Sequence, residues 1–176
     1  MKTLQTLALF GLTIVLTAAT GTAQDFLKAD HKMLGHQVQS SQQHAQDQAQ
    51  TLYYHGQAKE PLPKDDAKEL LAGMKKDLAA ADKSLAKLKA DFAKNKDAVE
   101  LIESIKKHHA KAHEVCGMAE EACMKDHGDK VVVGDCCSEM YFEMEAAKAD
   151  TTKLLKLLKI EKLETPKKPA PKKSPV

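Results

Sequence analysis

The scarcity of helix-breaking residues constrains this chain more than any other feature. Between Gln24 and Glu164, proline occurs only at Pro61 and Pro63, and glycine is sparse. Alanine, lysine, leucine, glutamate and glutamine dominate the same region, and all five are strong helix formers. Apolar residues recur there at helical spacing. The sequence therefore predicts long amphipathic helices.

Four helices are predicted, over about 25–55, 66–94, 97–127 and 136–163. Short connections between long helices favour antiparallel neighbours. The predicted fold is therefore all-α, an antiparallel up-down-up-down four-helix bundle. A weak similarity between the two halves suggests a duplicated helical hairpin.

The predicted ends of the helices rest on capping residues. Asp65 or Asp66 is expected to cap the start of the second helix, and Asp135 the start of the fourth. Gly128 suits the end of the third helix. The stretch "GDKVVVGD" (128–135) is predicted as the turn between the third and fourth helices.

Both ends of the chain are expected to lie outside the bundle. Residues 1–23 have the layout of a secretory signal peptide, with a positive start, an apolar run and small residues before Ala23. The run is shorter than the roughly 20 residues that span a bilayer. Residues 165–176 are rich in lysine and proline, which is typical of a disordered tail. We expect a periplasmic or secreted protein with one domain over 24–164 and no transmembrane segment in the mature chain.

Composition argues against nucleic acid as a partner and against catalysis. The chain has no arginine and no tryptophan, and aromatic residues make up 4% of it, whereas base and phosphate recognition depends on arginine and aromatic stacking. It also lacks a glycine-rich phosphate loop and a G-x-S-x-G motif. The sequence predicts a protein that is not an enzyme and does not bind nucleic acid.

Sulfur and imidazole groups are concentrated in residues 108–144. This stretch holds all four cysteines, four of the eight histidines and four of the seven methionines. Thiolate, thioether and imidazole are soft ligands, which suit Cu(I) best and Zn(II) where only cysteine and histidine bind. The candidate metal ligands are Cys116, Cys123, His127, Cys136, Cys137, Met140 and Met144.

Folding the third and fourth helices back on each other brings these residues to one end of the bundle. With the turn at 128–135, His127 is predicted level with Cys136, and Cys123 level with Met140. Cys116 is then expected deeper in the bundle, near Ala147. The predicted function is exported binding, buffering or transfer of a soft metal ion, most simply copper, with zinc as the second choice.

Disulfides are the main alternative use of the cysteines. An exported protein with four cysteines is a candidate for two disulfides, and Cys123 with Cys136 or Cys137 would close a loop of about 13 residues. A redox role for the thiols is a third interpretation. The alternative function is a non-enzymatic, disulfide-stabilised envelope protein that acts as a structural or interaction module for a protein partner.

The stretch "HEVCGMAEEACMKDH" (113–127) resembles the cysteine-rich helices of bacterial four-helix-bundle copper-binding and copper-storage proteins. The resemblance implies a bundle interior in which thiolates hold Cu(I). The spacing here is C-x6-C instead of a repeated C-x3-C, and this chain has far fewer cysteines. What carries over is therefore a single or small site at Cys116, Cys123, Cys136 and Cys137.

Overall fold

A computed structural model of the chain describes residues 16–58, 63–124 and 130–161, with side chains described from residue 27 onward. It contains four helices: α1 (Leu16–Gln57), α2 (Lys64–Asp91), α3 (Lys96–Met124) and α4 (Lys130–Leu157). Most of the predicted signal peptide, the whole predicted tail and the candidate ligand His127 lie outside the described residues. None of the described helices has an apolar stretch that could cross a membrane.

The four helices form a ring in which each packs against its neighbours in sequence and α4 closes against α1. Neighbouring helices run antiparallel. Between α2 and α3, for example, Lys89 Nζ donates to Glu103 Oε1 at 2.7 Å, while Asp82, earlier in α2, pairs with His109, later in α3. The predicted up-down-up-down four-helix bundle is confirmed.

The interior of the bundle is built from small and medium apolar side chains. Each helix contributes one buried stripe at spacings of three and four residues, as an amphipathic helix requires. Burying each large side chain stabilises the fold by about 1.5–3 kcal/mol. The largest apolar side chains with almost no exposed surface are Leu71, Met74, Leu78, Leu85, Leu88, Ile102, Ile105, Met140, Met144 and Leu154.

One layer of polar side chains interrupts this apolar interior near its middle. We call Gln42, Asp82, His109 and Thr151 the polar layer, and each of the four helices supplies one member. Gln42 Nε2 donates to Thr151 Oγ1 at 2.9 Å and to His109 Nε2 at 3.0 Å. Since that ring nitrogen accepts, His109 carries its proton on Nδ1, which donates to Asp82 Oδ1 at 2.6 Å.

The polar layer fixes how the helices are aligned along their length. Gln42, His109 and Thr151 are fully buried, and Gln42 Oε1 already has no hydrogen-bond partner. A shift of any helix by one turn would leave further buried polar atoms without partners. An unsatisfied buried polar group costs about 1–3 kcal/mol. Leucine and alanine contacts, by contrast, are easily replaced by similar contacts one turn away.

The fourth helix begins earlier than the sequence predicted. α4 starts at Lys130, so Val131, Val132 and Val133 form its first turn, and Asp135 lies inside the helix instead of capping it. β-Branched residues cost at most about 0.7 kcal/mol each in a helix, and burial of Val133 offsets that cost. The predicted cap Gly128 lies outside the described residues.

The predicted cap of the second helix is also wrong. Pro63 occupies the N-cap position of α2, and no side chain caps that end. Asp65 and Asp66 lie in the first turn instead. There their negative charges interact favourably with the helix dipole.

Replacing His109 with leucine tests the importance of the polar layer. We expect the free energy of unfolding to fall by roughly 3 kcal/mol, because Asp82 and the Gln42 amide lose their buried partner. Urea denaturation followed by circular dichroism gives the value. The matched control is His36→Leu, at an exposed position of α1, which should change stability by no more than about 0.5 kcal/mol. Equal losses for the two variants would contradict the assignment.

Candidate metal site

All four cysteines lie in the interior of the bundle toward the end where α3 passes into α4. Cys116 and Cys123 are two turns apart on the buried face of α3, and Cys136 and Cys137 are adjacent on α4. Cys116 and Cys137 have no exposed surface, and the other two thiols are also buried. We call the space that these four side chains share the sulfur chamber.

The four thiols are close enough to influence one another electrostatically. Burial, as the largest cause, and the neighbouring Cys123, Cys136 and Cys116 together raise the pKa of Cys137 to about 12. Burial likewise raises the pKa of Cys123, with Cys136 adding to the effect. Cys137 is therefore the thiol that faces all the others.

Charged groups also reach the chamber from the seam between α2 and α3. Burial raises the pKa of Cys116, the positive charge of Lys75 opposes the rise and Glu120 adds to it, which together give a pKa of about 11. Lys75 Nζ donates to Glu120 across this seam, and that hydrogen bond raises the pKa of Lys75. Burial raises the pKa of Cys136 as well. All four thiols are consequently in the neutral form at pH 7.

The walls of the sulfur chamber are apolar. Cys116 Sγ donates to the carbonyl oxygen of Leu71 at 3.6 Å, which places this thiol against α2. Met74 is buried one turn further along α2, on the same side of the chamber. Met140 is buried on α4, one turn beyond Cys137. Two thioethers are therefore buried within one helical turn of residues that belong to the chamber or contact it.

The alignment of α3 and α4 differs from the predicted one. Lys111 lies opposite Glu139, at 3.4 Å between Nζ and Oε1, and His108 opposite Glu143, at 2.7 Å. If the same pairing is extended along both helices toward the turn, Cys116 lies opposite about residue 135 instead of near Ala147. The shift is about three helical turns, because only residues 125–129 separate α3 from α4.

The structure brings together most of the predicted ligands. The four cysteines lie in the chamber, and Met140 is buried one turn from Cys137. Met144 is buried on the same face of α4 but lies seven residues beyond Cys137, about 10 Å along the helix. That separation is too long for Met144 and Cys137 to bind one ion, and the same holds for Cys116 and Cys123, which are also seven residues apart. His127 lies outside the described residues.

The donors are not arranged as a finished metal site. Among the residues that the structure describes, no three histidine, cysteine, aspartate or glutamate side chains are placed to hold an ion together. Binding an ion in the chamber would therefore require thiol side chains to change rotamer, and the neutral thiols would have to lose protons.

The expected disulfides are absent, because all four cysteines are free. A disulfide needs two α-carbons within about 7 Å, whereas packed helix axes are 8–10 Å apart. Only cysteines that face each other at the same level can then be bridged. None of the four cysteines is paired, so the alternative disulfides of Cys123 with Cys136 or Cys137 are wrong.

Two features of the structure were not predicted from the sequence. The first is the polar layer. Only His109 could have been recognised from the sequence, because it is a histidine within the apolar stripe of its helix. The second is a surface groove of about 290 Å³ between α1 and α4, lined by Gln50, Tyr53, Tyr54, Ser138, Tyr141 and Phe142. The sequence feature that could have indicated the groove is a pair of adjacent aromatic residues on each of the two helices, in a chain with few aromatic residues.

Comparison of the chain with known protein families, curated proteins and solved structures finds no match.

The raised thiol pKa values predict a loss of stability in alkali. Cys116 and Cys137 titrate near 11 and 12 in the folded protein, against an ordinary value of 9.0. The folded state therefore holds these protons more tightly, and its advantage is complete below about pH 9 and lost as the pH rises toward 11–12. Urea midpoints between about pH 8 and pH 11 should fall more steeply for the parent than for Cys116→Ala/Cys137→Ala.

The double variant removes only these two thiols, so the difference between the slopes of the two proteins reports their ionisation. Parallel pH profiles would show that these cysteines ionise as freely in the folded state as in the unfolded one.

Proposed function

We propose that this protein binds a soft metal ion, copper(I), in the sulfur chamber, and that it buffers the ion or hands it on without catalysing a reaction. The observation that carries the proposal is the collection of four free, buried thiols from two helices in one apolar space. Thiolate and thioether sulfur are the donors that Cu(I) prefers.

The apolar walls favour a singly charged ion over a doubly charged one. Two thiolates around one Cu(I) leave a net charge of −1, whereas four thiolates around one Zn(II) leave −2. A net charge in an apolar interior is costly unless it is compensated. Lys75 and Glu120, which form an ion pair at the edge of the chamber, act on Cys116 in opposite directions, so this pair offers little compensation and the smaller net charge is favoured.

Differences in burial suggest an order in which the thiols meet the ion. Cys123 is 9% exposed and Cys136 is 6% exposed, whereas Cys116 and Cys137 are fully buried. We infer that the ion first meets the two rim thiols and then moves inward to Cys137. Each thiol that binds gives up its proton, so affinity should rise with pH.

Free thiols in an exported protein must be protected from oxidation. In an oxidising compartment exposed thiols are converted to disulfides. Burial in the bundle and coordination to copper both prevent that reaction. The signal-peptide layout of residues 1–23 and the resemblance of 113–127 to copper-binding helices support the same proposal.

Competition with a Cu(I) chelator tests the proposal. The parent should take one or a few Cu(I) ions per chain, and Cys137→Ser and Cys123→Ser should each lower the affinity. The loss should exceed the roughly 10- to 100-fold that changes outside the ligand shell cause. Met33→Leu, an exposed methionine far from the chamber, is the matched control and should bind as the parent does.

Circular dichroism of each variant must show that the bundle has formed before its affinity is compared. Folded Cys137→Ser and Cys123→Ser proteins with the affinity of the parent would refute the proposed site. If the parent bound Zn(II) more tightly than Cu(I), and the same cysteine variants weakened Zn(II) binding, the choice of ion would be refuted.

A further inference from the structure

The groove between α1 and α4 presents aromatic surface that the bundle does not use. Tyr54 and Phe142 are 62% and 61% exposed. The ring planes of Tyr53 and Tyr54 are inclined by 69°, and those of Tyr141 and Phe142 by 89°. Ring surfaces of several orientations therefore border one space. We call the space lined by Gln50, Tyr53, Tyr54, Ser138, Tyr141 and Phe142 the aromatic groove.

The packing of α1 against α4 holds the two aromatic pairs at one level. On one side of the aromatic groove, Lys148 Nζ of α4 donates to Gln46 Oε1 of α1 at 2.7 Å. On the other side, Gly56 of α1 packs against the backbone of Gly134 of α4. The residues between these two contacts lie opposite each other on the antiparallel helices, so each helix contributes one aromatic pair to the same groove.

Exposed carboxylates border the aromatic groove at both ends. Asp47 on α1 and Glu145 on α4 each lie one helical turn beyond the lining residues at one end. Asp135 lies one turn beyond them at the other end. All three side chains are exposed. The electrostatic potential at the groove is therefore biased toward negative values.

Basic side chains do not neutralise these carboxylates. Among the residues that the structure describes, none of the three forms an ion pair. Asp47 Oδ1 instead accepts a hydrogen bond from Gln43 Nε2 at 2.7 Å. Lys148, on the same seam, donates to Gln43 and Gln46. A positively charged ligand is thus attracted to the groove.

Aromatic rings combined with negative charge suit an organic cation. The face of an aromatic ring is the negative end of its quadrupole, and a quaternary ammonium group is recognised by several such faces. It also has no N–H group that needs a hydrogen-bond acceptor. Gln50 and Ser138, the polar lining residues, can exchange hydrogen bonds with a hydroxyl group on the same ligand and so fix its orientation.

The size and charge of the aromatic groove narrow the choice of ligand. Its volume of about 290 Å³ is at the lower end for small-molecule sites, which favours one small ligand. The bordering carboxylates repel a phosphate or carboxylate group on the ligand. A net positive compound is therefore favoured over a zwitterion such as phosphocholine.

We propose that the aromatic groove binds a small quaternary ammonium alcohol of the choline class. The trimethylammonium group lies against the tyrosine and phenylalanine rings, and the hydroxyl group bonds to Gln50 or Ser138. This inference does not depend on metal binding in the sulfur chamber, so either proposal can fail alone.

Isothermal titration of the full-length protein with choline provides the test. Choline should bind with a Kd of about 1 mM or tighter, which is within reach of a ligand of this size. Its neutral analogue, in which a tert-butyl group replaces the trimethylammonium group, has the same shape without the charge. The analogue should bind at least about tenfold more weakly, because cation–π attraction is lost. Phosphocholine should also bind more weakly than choline.

Substitutions of the rings locate the site. Tyr54→Ala and Phe142→Ala should each weaken choline binding by at least about threefold, because each removes a ring that contacts the cation. Tyr54→Phe keeps the ring and should bind as the parent does. Met33→Ala, at an exposed position outside the groove, is the matched control. Circular dichroism should show an intact bundle in every variant, since the substituted side chains are mostly exposed.

Substitutions of the carboxylates test the electrostatic contribution. Asp47→Asn/Glu145→Gln should weaken choline binding and reduce its dependence on salt concentration, because screened surface charges contribute less. Glu121→Gln, at an exposed position of α3, removes a carboxylate away from the groove and should leave both properties unchanged.

Tyrosine fluorescence gives an independent readout of where choline binds. The chain has no tryptophan, and its three tyrosines all line the aromatic groove. Saturating choline should therefore reduce the quenching of tyrosine emission by acrylamide, while the same concentration of the neutral analogue should have a smaller effect.

Four results would overturn the proposal. The first is equal affinity for choline and its neutral analogue, and the second is tighter binding of phosphocholine than of choline. The third is choline binding that survives both Tyr54→Ala and Phe142→Ala. The fourth is a parent that sediments as a dimer while these two variants sediment as monomers, which would assign the groove to contact between two copies of the chain.

Discussion

The hydrogen bonds of the polar layer are the constraint on which the rest of the bundle depends. Most of the interior is alanine, leucine and methionine, which would pack almost as well after a slide of one turn. Gln42 and His109 would not, because each is fully buried and bonded to partners on other helices. The polar layer fixes the alignment of all four helices at its own level of the bundle. It therefore also fixes which cysteines meet in the sulfur chamber, at a different level.

The sulfur chamber follows from that alignment and from the properties of neutral thiols. A protonated cysteine behaves as a small apolar side chain, so four of them can be buried without an unpaired charge. The same burial raises each thiol pKa, which keeps the chamber uncharged until something replaces the protons. A Cu(I) ion bound by two thiolates would replace the protons and leave only one unit of negative charge, so the packing and the proposed chemistry are consistent.

The sequence predicted the number, order and direction of the helices because those depend on local properties. Between Gln24 and Glu164, helix breakers cluster at only one point, Pro61 and Pro63, and the apolar periodicity is clear elsewhere. The alignment of α3 and α4 was not predictable in the same way, because it depends on where α4 begins. The valine run and Gly134 indicated a turn. They are helical instead, because burial of Val133 stabilises an earlier start of α4. The grouping of the cysteines at one end was nevertheless predicted, whereas their individual levels were not.

The most direct test of the central claim is X-ray absorption spectroscopy at the copper edge of the Cu(I)-loaded protein. The account predicts a first coordination shell made only of sulfur, because the chamber offers thiols and thioethers and its walls are apolar. A shell dominated by nitrogen or oxygen would place the ion on surface histidines or carboxylates and would contradict the account.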